Sequence, residues 1–168
     1  MDYVRVCAID AGTRNFAYCF VDNLHWREPL RWTKEDLWRE EPNRRRTPTK
    51  EDIVAITVAW CRRNAAALAE CDYVVLENQI RIPFIVMNTV IQALHYDKCV
   101  SVHPMTVGAY YGLPKTREAK KAAGIAVVVR NGVNFGVANG KIDDLADAWL
   151  MAVYQLIQTG ALSEHFLK

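Results

Sequence analysis

Three apolar stretches in this sequence are interrupted by acids. The run Val6-Cys7-Ala8-Ile9 ends on Asp10 and is followed at once by Ala11-Gly12-Thr13. The run Tyr73-Val74-Val75-Leu76 ends on Glu77. Further on, KIDDLADAWLMA opens a long apolar segment with Asp143, Asp144 and Asp147. Asp144 and Asp147 stand three residues apart, which puts them on one side of a helix. If the two acid-tipped runs are parallel neighbouring strands, Asp10 and Glu77 emerge side by side at their carboxyl ends, where open α/β sheets form ligand sites. Carboxylates crowded into one small pocket repel one another strongly. Either some hold protons or divalent cations neutralise them. Hard oxygen ligands of this kind suit Mg²⁺ or Mn²⁺. Two such ions about 4 Å apart activate a water and stabilise the leaving oxygen of a phosphodiester.

Each acid alone has a plainer reading. Asp10 before Gly12 suits a turn, and Glu77 suits a cap on its strand or on the following helix. Asp143 or Asp144 suits the N-cap of the last helix, where the helix dipole favours acids. Asp147 lies deeper in an apolar segment and is harder to dismiss. The signal is the joint pattern.

The elements that must position these acids follow from periodicity. Val4 to Ile9 reads as a first strand, and Phe16 to Val21 as its hairpin partner across Ala11-Gly12-Thr13-Arg14-Asn15. A third, weaker strand falls near Leu30 to Thr33. Glu40 to Thr49 holds two prolines and three arginines and reads as an exposed loop. Thr49 then caps a helix whose apolar face (Ile53, Ile56, Trp60, Ala67, Leu68) runs to about Glu70. The run ending at Glu77 is continuous enough for a strand buried on both faces. A helix from Phe84 to Tyr96 starts just after Pro83. Cys99 to Val102 is another strand, Thr116 to Arg130 a basic then apolar helix, and 131–141 a glycine-bearing mobile loop. Asp143 to Thr159 is the last helix. Strands interleaved with helices in this order predict an α/β sheet with helices against its faces.

The totals exclude several classes. The 168 residues suit one domain with a real core, and 51% hydrophobic with 24% charged residues is ordinary for a globular chain. The net charge of +2 is mild, but Arg44, Arg45 and Arg46 form a run, and Lys115, Arg117, Lys120 and Lys121 a cluster. Such runs are either solvated faces or phosphate-binding patches. Five cysteines, an odd count without zinc-site spacing, read as buried hydrophobes in a reducing compartment. The start has no signal-peptide layout, and no apolar run reaches the roughly 18 residues of a membrane span.

Taken in order and at these separations, AIDAGTRNFAY, YVVLENQ and KIDDLADAWLMA resemble the RuvC-like Holliday-junction resolvases, nearest the poxvirus-type and related viral branch. The resemblance spans Asp10 to Asp147. It implies a ribonuclease H-like α/β fold, with a mixed five-stranded sheet, helices on both faces and one nuclease domain over residues 1–168. It implies metal ligands at Asp10, Glu77, Asp144 and Asp147, with Asp143 an accessory acid or the helix cap. It implies two Mg²⁺ or Mn²⁺ ions per site and cleavage of four-way DNA junctions by a homodimer, one symmetric nick per subunit. A lysine near the scissile phosphate falls among Lys115, Lys120 and Lys121, with Lys121 taken as the catalytic one. The lysine that the family often shows after the proline leaving the fifth strand is missing or displaced, since Met105, Thr106 and Val107 follow Pro104. The implied setting is the cytoplasm of a virus-infected cell.

Asn78, Gln79 and Arg81 leave the Glu77 strand beside the presumed site. With the Lys115–Lys121 cluster they are candidates for contacting DNA. Phe84 is a candidate wedge at the branch point or a buried helix residue. His103 reads as a residue with a structural partner before it reads as a base. Tyr110 and Tyr111 read as packing residues before base-stacking ones. Two rivals stay open: another ribonuclease H-fold nuclease acting on RNA–DNA hybrids or flaps, and an actin- or sugar-kinase-like phosphate-binding protein suggested by DAGT. A catalytically silent module is disfavoured because idle clustered acids repel. On that logic Asp144→Asn is expected to raise stability without metal.

Overall fold

The computed structural model describes residues 2–39, 47–135 and 142–167. The arginine run 44–46 and the glycines at 136 and 140 lie outside them. Strands β1 (Arg5–Asp10), β2 (Phe16–Asp22), β3 (Arg31–Glu35), β4 (Tyr73–Glu77) and β5 (Cys99–Val102) form one sheet in the order β3-β2-β1-β4-β5. β1 pairs antiparallel with β2 and parallel with β4, and β4 pairs parallel with β5. The sheet is mixed and five-stranded, as expected, with β1 at its centre. The β1–β2 turn needs its glycine, because a Cβ on Gly12 would stand 2.7 Å from the Asn15 carbonyl oxygen.

Alternation along the strands feeds two cores. Val6, Ala8, Ala17, Cys19, Val21 and Val75 face one side, under α5 (Arg117–Arg130) and α6 (Asp143–Gln158). Cys7, Ile9, Phe16, Tyr18, Val74 and Leu76 face the other, under α1 (Lys50–Arg63), α2 (Ala65–Ala69) and α3 (Ile82–Leu94). α6 is buried nearly all round, with Ala146, Ala148, Ala152 and Trp149 almost wholly enclosed. The Trp149 indole N–H donates to the Trp26 carbonyl at 2.9 Å, so the largest side chain of this core is also satisfied. On the other side of α6, α5 approaches closely at Gly124, where a Cβ would lie 3.4 Å from Leu150 Cδ1.

Several elements differ from expectation for local reasons. The single helix expected up to Glu70 breaks at Asn64, whose buried amide donates to the Trp60 carbonyl at 2.9 Å and competes with the helical ladder. Its start is as read: Thr49 and Asp52 form a reciprocal capping box. β3 runs two residues further than expected, through Glu35, because it pairs with β2 as far as Phe16 and the Tyr18 hydroxyl donates to Glu35 at 2.7 Å. A seven-residue helix, α4 (Pro104–Tyr110), was not anticipated. His103 caps it, its ring Nδ1 accepting from the Met105 N–H at 3.2 Å. α3 begins at Ile82, with Pro83 in its first turn, rather than after the proline. All five cysteines are free thiols, four of them buried.

Trp149→Ala should cost about 3–5 kcal/mol of stability, the range for emptying a buried indole site. Urea unfolding of the variant beside the parent chain measures it. A loss under about 1 kcal/mol would show that α6 is not anchored there.

Candidate active site

The register places the acids. Ile9 pairs with Leu76 across the parallel β1–β4 ladder, and each strand continues one residue to an acid, Asp10 and Glu77. Period two carries Val6 and Ala8 to Asp10, and Tyr73 and Val75 to Glu77, so both acids fall on the face covered by α6. α6 brings Asp143, Asp144 and Asp147 over this end of the sheet within its first two turns. Neither Asp143 nor Asp144 is its N-cap. Ile142 holds that position without a side-chain cap, and the two acids sit in the first turn, near the positive end of the helix dipole.

The electrostatics show the cluster directly. Burial pushes the Asp10 carboxyl up to about 8, and the Glu77, Asp147 and Asp144 carboxylates add to the rise. Burial lifts Asp147 to about 6, with Lys120 opposing and Glu77 reinforcing. Burial also raises Glu77, offset in part by Lys120 and by a hydrogen bond that the Gln79 amide donates to Glu77 Oε2 at 3.0 Å. The other two acids carry their own counter-ions. Lys34 of β3 is ion-paired with Asp144, and Lys121 of α5 with Asp143. Burial works against the Asp143 anion, but the Lys121 partner holds its carboxyl below the usual range. The Asp144 carboxylate adds to the rise at Asp10 and Asp147, so the relief of repulsion expected from Asp144→Asn is set against the loss of its pair with Lys34. Among the described residues, no three of these groups close around one point at ligand distance. They share a field rather than a finished coordination shell.

Two hollows flank the acids. A groove of about 350 Å³ is lined by Asp10, Gly12, Arg14, Arg81, Phe84, Arg117 and Asp144 among others. A narrow pocket behind it holds Glu77, Lys120 and Asp147. A larger cavity of about 460 Å³ between Tyr110, Arg130 and His165 contains none of the acids and stands apart from this chemistry.

Of the expected basic residues, Arg81 and Arg117 reach the groove and Lys120 the inner pocket. Lys121 is turned to Asp143, and exposed Lys115 lines neither hollow. Asn78 is exposed, its backbone N–H held by the Val102 carbonyl at 2.8 Å. Phe84 is half-buried in the groove wall, while Ile80, three residues past Glu77, is 93% exposed. Tyr110 and Tyr111 pack on each other, and the Tyr111 hydroxyl donates to the Leu150 carbonyl at 3.0 Å. Sequence reasoning missed Lys34 and Arg14. The alternation of RWTKE was the available signal for Lys34, since it puts Trp32 and Lys34 on the α6 face.

The donor set fits a hard divalent cation. Asp10, Glu77 and Asp147 are carboxyl groups in one water-poor corner, and burial raises all three, Asp10 to about 8 and Asp147 to about 6. Asp143 Oδ1 is buried with no hydrogen-bond partner.

Sheet order and flanking helices together define a ribonuclease H-like α/β fold. Solved structures that share this fold at low identity include three from different organisms. They are the yeast mitochondrial Holliday junction resolvase Ydc2 (16% identity, TM-score 0.67, covering 89% of this chain and 77% of that one), the fowlpox virus resolvase in complex with substrate Holliday junction DNA (17%, 0.65, 93% and 99%) and Thermus thermophilus RuvC (16%, 0.55, 94% and 97%). The chain belongs to the Poxvirus A22 protein family, whose model matches residues 4–159. No curated protein matches it in sequence.

The raised carboxyls make a signed pH prediction for the metal-free protein. Asp10 binds its proton more tightly folded (about 8) than unfolded (ordinary value 3.8), so its stabilising contribution is complete below about pH 4 and is lost as pH rises through 8. Thermal melts in EDTA should therefore show Asp10→Asn gaining on the parent chain between pH 5 and 8. Each kcal/mol relieved is worth about 2–4 °C. A gap that stays constant with pH would contradict the assignment.

Proposed function

We propose that this chain is a divalent-metal-dependent, structure-selective endonuclease that resolves four-way DNA junctions by paired symmetric nicks. It works as a homodimer of single nuclease domains spanning residues 1–168. The observation that carries this reading is the gathering of Asp10, Glu77, Asp144 and Asp147 at one sheet end beside an arginine-lined groove. Family membership and the fold shared with resolvases, one of them bound to a junction, support the same substrate class. A junction offers two equivalent strands, and a two-fold dimer presents two sites to match.

Asp10, Glu77, Asp144 and Asp147 would hold the metal, two Mg²⁺ or Mn²⁺ ions per site. When bound, these supply a water of lowered pKa and stabilise the leaving oxygen. The rest falls to the chain itself. Arg81 and Arg117, both lining the groove, hold backbone phosphates and make affinity salt-dependent. Gln79 fixes the Glu77 carboxylate through its hydrogen bond. Lys120, between Glu77 and Asp147 in the inner pocket, balances the local charge and is better placed towards those two acids than Lys121. Exposed Ile80, between Gln79 and Arg81, offers an apolar surface to an unstacked base at the branch point.

Junction cleavage with Mg²⁺, with Mn²⁺ and in EDTA, followed by mapping of the nicks, tests the reading. A plain duplex and an RNA–DNA hybrid serve as competitors. Paired nicks placed symmetrically across the branch are expected. Preference for the hybrid would transfer the chain to another ribonuclease H-fold activity. Asp147→Asn should lower cleavage by more than the about 100-fold that loss of an outer-sphere partner costs, and should still bind the junction. Cleavage at the parental rate would remove Asp147 from the mechanism.

A further inference from the structure

Lys34 is a cation that the proposed reaction has not yet used. It lies on β3, opposite Ala17 of β2, which in turn lies opposite Asp10 of β1. Lys34 and Asp10 thus stand on one rung of the sheet, two strands apart, and both face α6. The side chain is mostly covered, 23% exposed, and its ammonium is ion-paired with Asp144, whose own carboxylate is 18% exposed. Asp144 forms part of the groove wall together with Asp10, Arg81 and Arg117. The Lys34 ammonium therefore sits where a wall of the groove meets the metal-binding acids.

We propose that Lys34 is a positioning residue that exchanges partners: it holds Asp144 while the site is metal-free, and yields that carboxylate to a divalent cation to take up a DNA phosphate at the groove wall. The proposal rests on the nuclease reading above. Its physical basis is competition for one anion. A divalent ion drawing on Asp144 weakens the lysine's hold and repels its ammonium. The displaced charge then has one abundant anion within reach, the phosphate backbone of a strand lying in the groove. Lys121 is placed differently, since its partner is Asp143, which lines neither hollow. Arg81 and Arg117 need no release, because they line the groove already. Lys34 alone of these cations links the state of the acids to the grip on DNA.

The test uses the full chain, its Lys34→Met and Lys34→Arg variants, and two readouts that need no turnover. The first is Mn²⁺ binding by calorimetry without DNA. Losing the unit charge that competes for Asp144, even screened as strongly as in water, should lower the half-saturating Mn²⁺ concentration by about fivefold in Lys34→Met. The second is the salt dependence of four-way junction binding, in Ca²⁺ and in EDTA. The slope of log affinity against log salt should fall by about one in Ca²⁺, the effect of one lost phosphate contact, and stay parental in EDTA. Lys34→Arg should restore the parental slope. Lys34→Gln gives the same readouts if Met at this edge position prevents folding. If the variants fold and both Mn²⁺ midpoint and salt slope are parental, Lys34 is a structural ion pair and the proposal is overturned. A slope that falls equally in EDTA also overturns it, because the lysine would then grip DNA without being released. If the parent chain binds neither Mn²⁺ nor the junction, the nuclease reading falls first and this proposal with it.

Discussion

Burial of several carboxyl groups in one water-poor corner is the constraint around which this molecule is arranged. Burial raises the carboxyls of Asp10, Glu77 and Asp147, and neighbouring acids add to the rise at Asp10 and Asp147. A fold selected for stability alone would avoid this. The cost persists because the surrounding structure over-determines it: β1 and β4 are central and fully paired, and α6 is locked by its alanines and Trp149. Strain of this kind is characteristic of sites prepared for a ligand that relieves it.

The charge balance is uneven, and the unevenness is informative. The two acids in the first turn of α6 have dedicated lysines, one from β3 and one from α5. The acids on the strand ends and in the second turn do not. The site is therefore divided between a pre-neutralised rim and an electron-rich interior. A divalent cation held there would meet acids that share only Lys120, and would compete with dedicated lysines at the rim. Arginines line the groove beside these acids, so one end of the sheet carries both the carboxyl cluster and positive charge suited to a polyanion.

Much of this was legible before any coordinates. The hairpin, the parallel β1–β4 pair and the strand-end acids follow from apolar runs with abrupt charged ends, a strong signal because a strand buried on both faces tolerates no charge except at its tip. The break at Asn64 and the short helix after Pro104 were not legible, since both depend on side-chain hydrogen bonds, Asn64 to Trp60 and His103 to Met105, that periodicity does not encode. Asp143 and Asp144 were read as possible N-caps because acids favour helix starts. The cap fell on Ile142 once the tertiary lysines had claimed both carboxylates. The lysine cluster was visible as a cluster, but which member faces the acids depends on the rotation of α5 against α6. That rotation turns Lys120 inward and Lys121 towards Asp143. The alternation of RWTKE puts Lys34 on the α6 face, but its nearness to Asp144 comes from a register across three strands.

The most direct test of the account is a crystal structure of the protein soaked in Mn²⁺, with the ions located by anomalous scattering. The account predicts manganese at the carboxyl ends of β1 and β4, within ligand distance of Asp10 and of at least one of Glu77, Asp144 and Asp147. Manganese found only elsewhere, with these carboxylates still apart, would contradict it.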